Sequence, residues 1–137
     1  MRSERGQVTV LVLGLALVAF AVAGVAIDGT RAFLFRRALQ DVADAAVLAG
    51  AGEIDTSTYY RTGGREVIID AAAARNEVAK ILALRGLDAQ TSVVADSDAV
   101  SVIVRGEVST TFLGVVGIEK IPVATEARAA PFEGAPR

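Results

Sequence analysis

The chain is expected to be an α+β protein. It should carry a long N-terminal helix (a transmembrane half followed by an amphipathic stem), a second helix, and a small antiparallel sheet of about three strands. Three observations predict this. Val8 to Ile27 carries no charged residue; apolar residues recur at helical spacing over 30–51 and again over 65–85; and after Gly86 the apolar period changes to two. At 137 residues there is room for one domain and little more.

The first helix follows from the apolar run. Twenty residues at a rise of about 1.5 Å span about 30 Å, the thickness of a bilayer's hydrocarbon core. Its least apolar members, Thr9, Gly14 and Gly24, are tolerated in lipid as part of a helix. A buried core helix is a poor alternative, because a domain of this size cannot surround a helix that is apolar on every face. A signal peptide is the stronger rival: the N-terminus carries Arg2 and Arg5, and Ala19-Phe20-Ala21 or Ala21-Val22-Ala23 would suit cleavage, releasing a secreted binding protein. Apolarity continues past those sites to Ile27, and a helical pattern follows without a break, which favours a retained anchor.

Arg2 and Arg5 on one side of the run face Arg31, Arg36 and Arg37 on the other, so the positive-inside count does not set the orientation. A short tail before the span and a full domain after it have the form of a signal anchor with an exported C-terminus. The expected organisation is a tail at 1–7, a transmembrane helix at 8–27, an exported domain at 28–130 that includes a helical stem at 30–51, and a flexible tail at 131–137.

In the stem, Phe35, Leu39, Val42, Ala46 and Ala49 trace one stripe, while Arg37, Gln40, Asp41 and Asp44 fall opposite, with Arg37 and Asp41 spaced to pair. The stripe is read as the domain's core face, with an oligomer seam as the alternative; Leu39 and Val42 are expected to face the sheet. Gly50 and Gly52 should end the helix. The polar stretch 53–64 reads as a loop whose Tyr59-Tyr60 pair packs on the domain. The second helix, over 65–85, carries Val67, Ala71, Ala74, Val78, Ile81 and Arg85 on one side, with Gly86 at its left-handed C-cap.

Beyond Gly86, 91–95 reads as a short strand, Asp96-Ser97-Asp98 as a turn, and Val100, Val102 and Val104 as one face of a second strand. A short helical turn is expected within 109–118. The last strand covers 121–129, with Ile121, Val123, Thr125, Ala127 and Ala129 facing one way and Pro122 at its entry.

The chain has no His, Cys or Trp, which excludes Ser-His and Cys-His nucleophiles, Cys/His zinc sites, iron–sulfur clusters and redox CxxC motifs. A net charge of -2 argues against a phosphate-binding surface and so against nucleic acid. Asp96-Ser97-Asp98 lacks the remaining ligands of a calcium loop, Gly63-Gly64 lacks a P-loop Lys, and the Asp41 and Asp44 carboxylates sit on a wet face. No catalytic, cofactor-binding or metal-binding residue is assigned, and no small-molecule substrate or enzymatic activity is expected.

Several stretches together resemble the TadE/TadG-like proteins of the tight-adherence (Flp) pilus assembly system. They are Glu4-Arg5-Gly6-Gln7 before the span, Asp28-Gly29 and Arg31 after it, and the stem Leu39-Gln40-Asp41-Val42-Ala43-Asp44-Ala45-Ala46-Val47-Leu48-Ala49-Gly50-Ala51. The family's form is close to an RGQ or RGS start with an LQxAADAAALAGA stem. Phe112-Leu113-Gly114 and Ile121-Pro122-Val123 also look like its short helix and last strand. The resemblance implies a bacterial cytoplasmic-membrane protein, minor-pilin-like or accessory, whose partners are the bilayer through Val8 to Ile27, other pilus or secretion proteins, and a possible second copy. It departs from prepilin substrates, which are cut after a Gly with Glu fifth in the mature chain: Gly6 would put Leu11 there, and Glu4 precedes the glycine. Processing as a standard pilin is therefore not expected.

Overall fold

The computed structural model describes residues 4–86 and 88–131, with side chains from Gly6 onward. Met1–Ser3 of the N-terminal tail and 132–137 of the expected flexible tail lie outside the described residues. The elements are α1 (Glu4–Ala51), α2 (Thr56–Arg61), α3 (Ala71–Arg85), β1 (Gln90–Ala95), β2 (Val100–Ser109), a 3-10 turn (Leu113–Val116) and β3 (Lys120–Ala129). The strands form one antiparallel sheet in the order β1-β2-β3, so the α+β class holds. The described residues divide into two compact units: 4–34 with Glu107–Ile121, and Phe35–Gly106 with 122–131.

The second unit holds the hydrophobic core. Along α1, Leu39, Val42, Ala43, Ala46, Val47 and Ala51 are buried, a three-four spacing that keeps one helix face covered. From the sheet, Val100, Val102 and Val104 of β2 and Val123, Thr125 and Ala127 of β3 are buried on alternate positions. A Cβ built on Gly106 would lie 2.8 Å from Phe35 Cε1 and 3.6 Å from Leu39 Cδ1, which puts the stem face directly on β2. The stem stripe is thus core, as expected. Its members shift slightly: Phe35 and Ala49 are only half-buried, and Ala43 and Val47 join the covered face.

Gly50 marks another close approach. A Cβ there would sit 2.8 Å from Val78 Cγ2 and 3.3 Å from Val100 Cγ1, so α1, α3 and β2 converge where no side chain fits. The wet face needs one correction. Arg37, Asp41 and Asp44 are exposed, but Gln40 is half-buried: its Oε1 accepts from the Thr125 hydroxyl and its Nε2 donates to the Glu126 carbonyl at 3.4 Å. Among the described residues no ion pair joins Arg37 to Asp41; the neighbouring i,i+4 contact is Gln40 Nε2 donating to Asp44 Oδ1 at 2.8 Å.

The stretch between the long helices differs from its expected form. Residues 53–64 contain α2, which starts because Asp55 accepts from the backbone N–H of Ser57 and Thr58. Helix α3 begins at Ala71 and not at Arg65. Its cap is Asp70, whose Oδ1 accepts from Ala72 N and Ala73 N at 3.0 Å each. The segment before the cap is extended: Asp55 N donates to Ile68 O, Asp70 N to Glu53 O and Ile69 N to Ser97 O, and Ile54 bridges Ile69. These bonds outcompete the helix there. From α3, Ala74 and Val78 reach the core, and Gly86 ends it at φ 55°. Tyr59 and Tyr60 meet edge to face, 5.6 Å apart; the Tyr59 ring lies against Gly64 as expected of a packed tyrosine, whereas Tyr60 is 79% exposed and does not pack.

Strands β1 and β2 form a hairpin from Gln90↔Arg105 to Ala95↔Val100, closed by Asp96 Oδ1 accepting from Asp98 N and Ala99 N. The Asp96-Ser97-Asp98 turn is as expected; β2 runs four residues past Arg105 to Ser109.

Two predictions test this core. Leu39→Ala should destabilise the full chain by about 2–5 kcal/mol in a thermal or denaturant melt, because a fully buried Leu leaves a cavity. Arg37→Ala, exposed and in no ion pair among the described residues, should cost about 0.5 kcal/mol or less. The second concerns pH. The Ser57 hydroxyl and the Thr58 and Ser57 amides hold the Asp55 carboxyl below its ordinary 3.8, and the Asp98 and Ala99 amides do the same for Asp96. Below 3.8 the unfolded chain binds more protons than the folded one, so stability rises with pH there. Melting temperature should therefore be flat above about pH 5 and fall once pH drops through the lowered values, with Asp96→Asn flattening part of that acid limb.

Candidate interaction surface

The other unit pairs the first part of α1 with the segment between β2 and β3. From Val8 to Ile27 the large apolar side chains of α1 are exposed on every face of the helix, from 45% at Ile27 to 72% at Val10 and Leu11. This helix is long and apolar enough to cross a membrane. The exceptions to exposure are Gly24 and Asp28, one turn apart at the end of the run, and both are covered by the same loop.

Asp28, 1% exposed, is the organising side chain. Its Oδ1 accepts from Thr111 N at 3.0 Å, and its Oδ2 accepts from Phe112 N at 2.9 Å and Leu113 N at 2.8 Å. The 3-10 turn Leu113–Val116 has no side-chain cap of its own at Phe112. A carboxylate from α1, more than eighty residues away in sequence, satisfies the N–H groups that a helical start leaves without partners. The Leu113 amide first, with those of Thr111 and Phe112, holds the Asp28 carboxyl below the usual carboxylate range against the opposing effect of burial. Arg31, one turn on, donates to Thr111 Oγ1 at 2.8 Å.

Gly24 completes the seat. A Cβ there would fall 2.6 Å from Phe112 Cβ, so only glycine allows the loop to lie this close. Phe112 meets Phe20 edge to face at 5.4 Å between ring centres. At the base of the loop, Thr110 N donates to Glu119 O, and Lys120 pairs with Glu107 at 2.7 Å.

Asp28 was legible only as the end of the apolar run and as part of the Asp28-Gly29 motif. Its partners come from a segment that contains no matching charge. The chemistry available is positional, because a carboxylate occupied by three N–H donors is not free to take a proton or a ligand. In the other unit, α3, β1 and β2 border an apolar groove of about 290 Å³ with no titratable group in its lining. The carboxylates weighed from sequence are likewise engaged or solvated: Asp96 in its turn, Asp44 with Gln40, Asp41 in water.

If Asp28 seats the loop, Asp28→Ala should speed amide exchange at 111–113, while exchange in β1 and in β2 up to Gly106 stays at the wild-type rate. Gly24→Leu should do the same by steric displacement of Phe112.

Comparison with curated proteins and with solved structures finds no match. Comparison with protein-family models does: residues 6–53, the apolar run of α1 with its stem, match the model of the Tad family, described as Flp pilus-assembly TadE/G-like.

Proposed function

We propose that this protein is a membrane-anchored, TadE/G-like component of pilus assembly, minor-pilin-like or accessory. It would act by helix packing in the membrane and by docking of its exported domain onto other pilus or secretion proteins. The observation that carries the reading is a change of character within one helix. Before Asp28 the large apolar side chains of α1 are exposed all round; from Leu39 onward one face is buried under the sheet. The first pattern suits lipid as solvent and the second suits water on the open face. The family match over 6–53 supplies the pilus context. The role is structural and non-catalytic, with no cofactor.

In this reading Val8 to Ile27 is a single span of the bacterial cytoplasmic membrane, and the part after it lies outside the cytoplasm. Retention of the span is favoured over release near Ala21–Ala23, because cleavage there would remove Phe20, which packs on Phe112.

The natural chain has no cysteine, so single introduced cysteines report topology cleanly. A cysteine replacing Tyr60 should react with an impermeant reagent added to intact cells, and one replacing Ser3 should be protected; the reverse pattern would put the domain in the cytoplasm and end the pilus reading. N-terminal sequencing should find Met1 or Arg2 and not a start near Gly24. Deletion should abolish or alter surface pili, as counted by electron microscopy, and unchanged piliation would contradict the assignment.

A further inference from the structure

The loop seated on Asp28 has an apolar edge that the assembly reading does not use. From Val108 to Ile118 the chain carries no charged residue. Val115 is 78% exposed, Val116 72% and Ile118 48%. Isolated exposed valines are ordinary on a protein surface, but these share their loop with Phe112, which lies against Gly24 and Phe20 of the apolar run. Phe20 is seven residues before Ile27, about 10 Å along the helix from the outer end of the run. A loop that touches Phe20 therefore stands beside the run and not only beyond it.

Irregular backbone next to lipid is costly unless its polar groups are satisfied. Here they largely are. Thr111 N, Phe112 N and Leu113 N donate to Asp28, Thr110 N to Glu119 O, Val115 N to Phe112 O, Gly117 N to Gly114 O, and Ile118 N to Leu113 O. The charged Glu107, Glu119 and Lys120 sit at the base of the loop, away from its tip in sequence. Apolar tip, satisfied backbone and charged base together are the pattern of an element lying in the membrane interface, which reaches about 5–10 Å into the headgroup–acyl boundary.

We propose that the segment 110–119 is a second membrane contact, with Val115, Val116 and Ile118 entering the outer headgroup–acyl boundary beside the span. The proposal rests on the reading of Val8 to Ile27 as transmembrane. Its occupant is a lipid surface, chosen because the apolar tip is continuous with the apolar run through Phe112. By this account Asp28 is a positioning residue: it holds the loop at the depth where its tip meets lipid.

The chain has no tryptophan, so one introduced indole is an unambiguous probe. Val116→Trp and Leu15→Trp variants of the full chain, both at exposed positions, would be reconstituted separately in phosphatidylcholine vesicles. The vesicles would carry a spin label either near the headgroup or deep in the acyl chain. Leu15→Trp should be quenched most by the deep label. Val116→Trp should emit to the blue of tryptophan in buffer and be quenched most by the shallow label. If Leu15→Trp is quenched while Val116→Trp emits as in water without quenching, the span stands and the loop contact is wrong. If Val116→Trp is blue-shifted yet unquenched by either label, a protein surface such as a second copy covers the tip, and the proposal fails. If neither variant is quenched, the transmembrane reading fails and the loop contact with it.

Discussion

A single three-stranded sheet cannot bury its own apolar face, and everything else in the second unit follows from what covers it. The cover is the stem of α1. Leu39, Val42, Ala43, Ala46 and Val47 lie on one side of that helix, and Val100, Val102 and Val104 supply the facing row of β2. Burying each large aliphatic side chain contributes about 1.5–3 kcal/mol, and small residues at Ala43, Ala46 and Gly50 let the helix backbone come close enough for that contact. Helix α3 adds Ala74 and Val78 at the point where Gly50 leaves room. Remove the stem, and both α3 and the sheet lose their common partner.

The same helix must also satisfy a different solvent before Asp28. The all-round apolar part of the helix ends at Ile27, and the chain marks that end with a charged side chain turned inward. Asp28 is nearly fully covered, and its hydrogen-bond donors are backbone amides, with the Arg31 charge one turn on as a weaker support. Burial of a carboxylate is expensive unless it is well hydrogen-bonded, and three N–H groups at 2.8–3.0 Å meet that condition. The benefit is mutual: the 3-10 turn has no cap of its own and gains one. A single residue thus ends the apolar run and fixes the loop that lies beside it.

The aspartates share this role elsewhere. Asp55 and Asp70 begin α2 and α3, and Asp96 closes the β1–β2 hairpin, each by accepting backbone N–H groups. In a chain without disulfides, side-chain caps take over the ordering of short connections. Acidic residues that could be taken for catalytic or calcium-binding candidates are instead local acceptors in turns and caps.

What the sequence determined by itself was periodic. The stem stripe, the alternating valines of β2 and the alternation of Val123, Thr125 and Ala127 in β3 are set by a repeat of 3.6 or 2 within a short window, and the uncharged run and the αL glycine after α3 are equally local, so all were legible without any partner. The family resemblance was legible too, because its motif lies within the first 51 residues, close to the 6–53 that match. Tertiary structure alone decided the rest. The helical start at Ala71 in place of Arg65 depends on backbone bonds from 68–70 to Glu53, Asp55 and Ser97; the Asp-first caps at 55 and 70 were the local signal available for it. The half-burial of Gln40 depends on Thr125, and the burial of Asp28 on amides of 111–113, each more than eighty residues away. Periodicity tells which face of an element is apolar, but it carries no information about which distant polar group arrives at the boundary of that face. That is why the core stripe could be read from the chain and the seat of the loop could not.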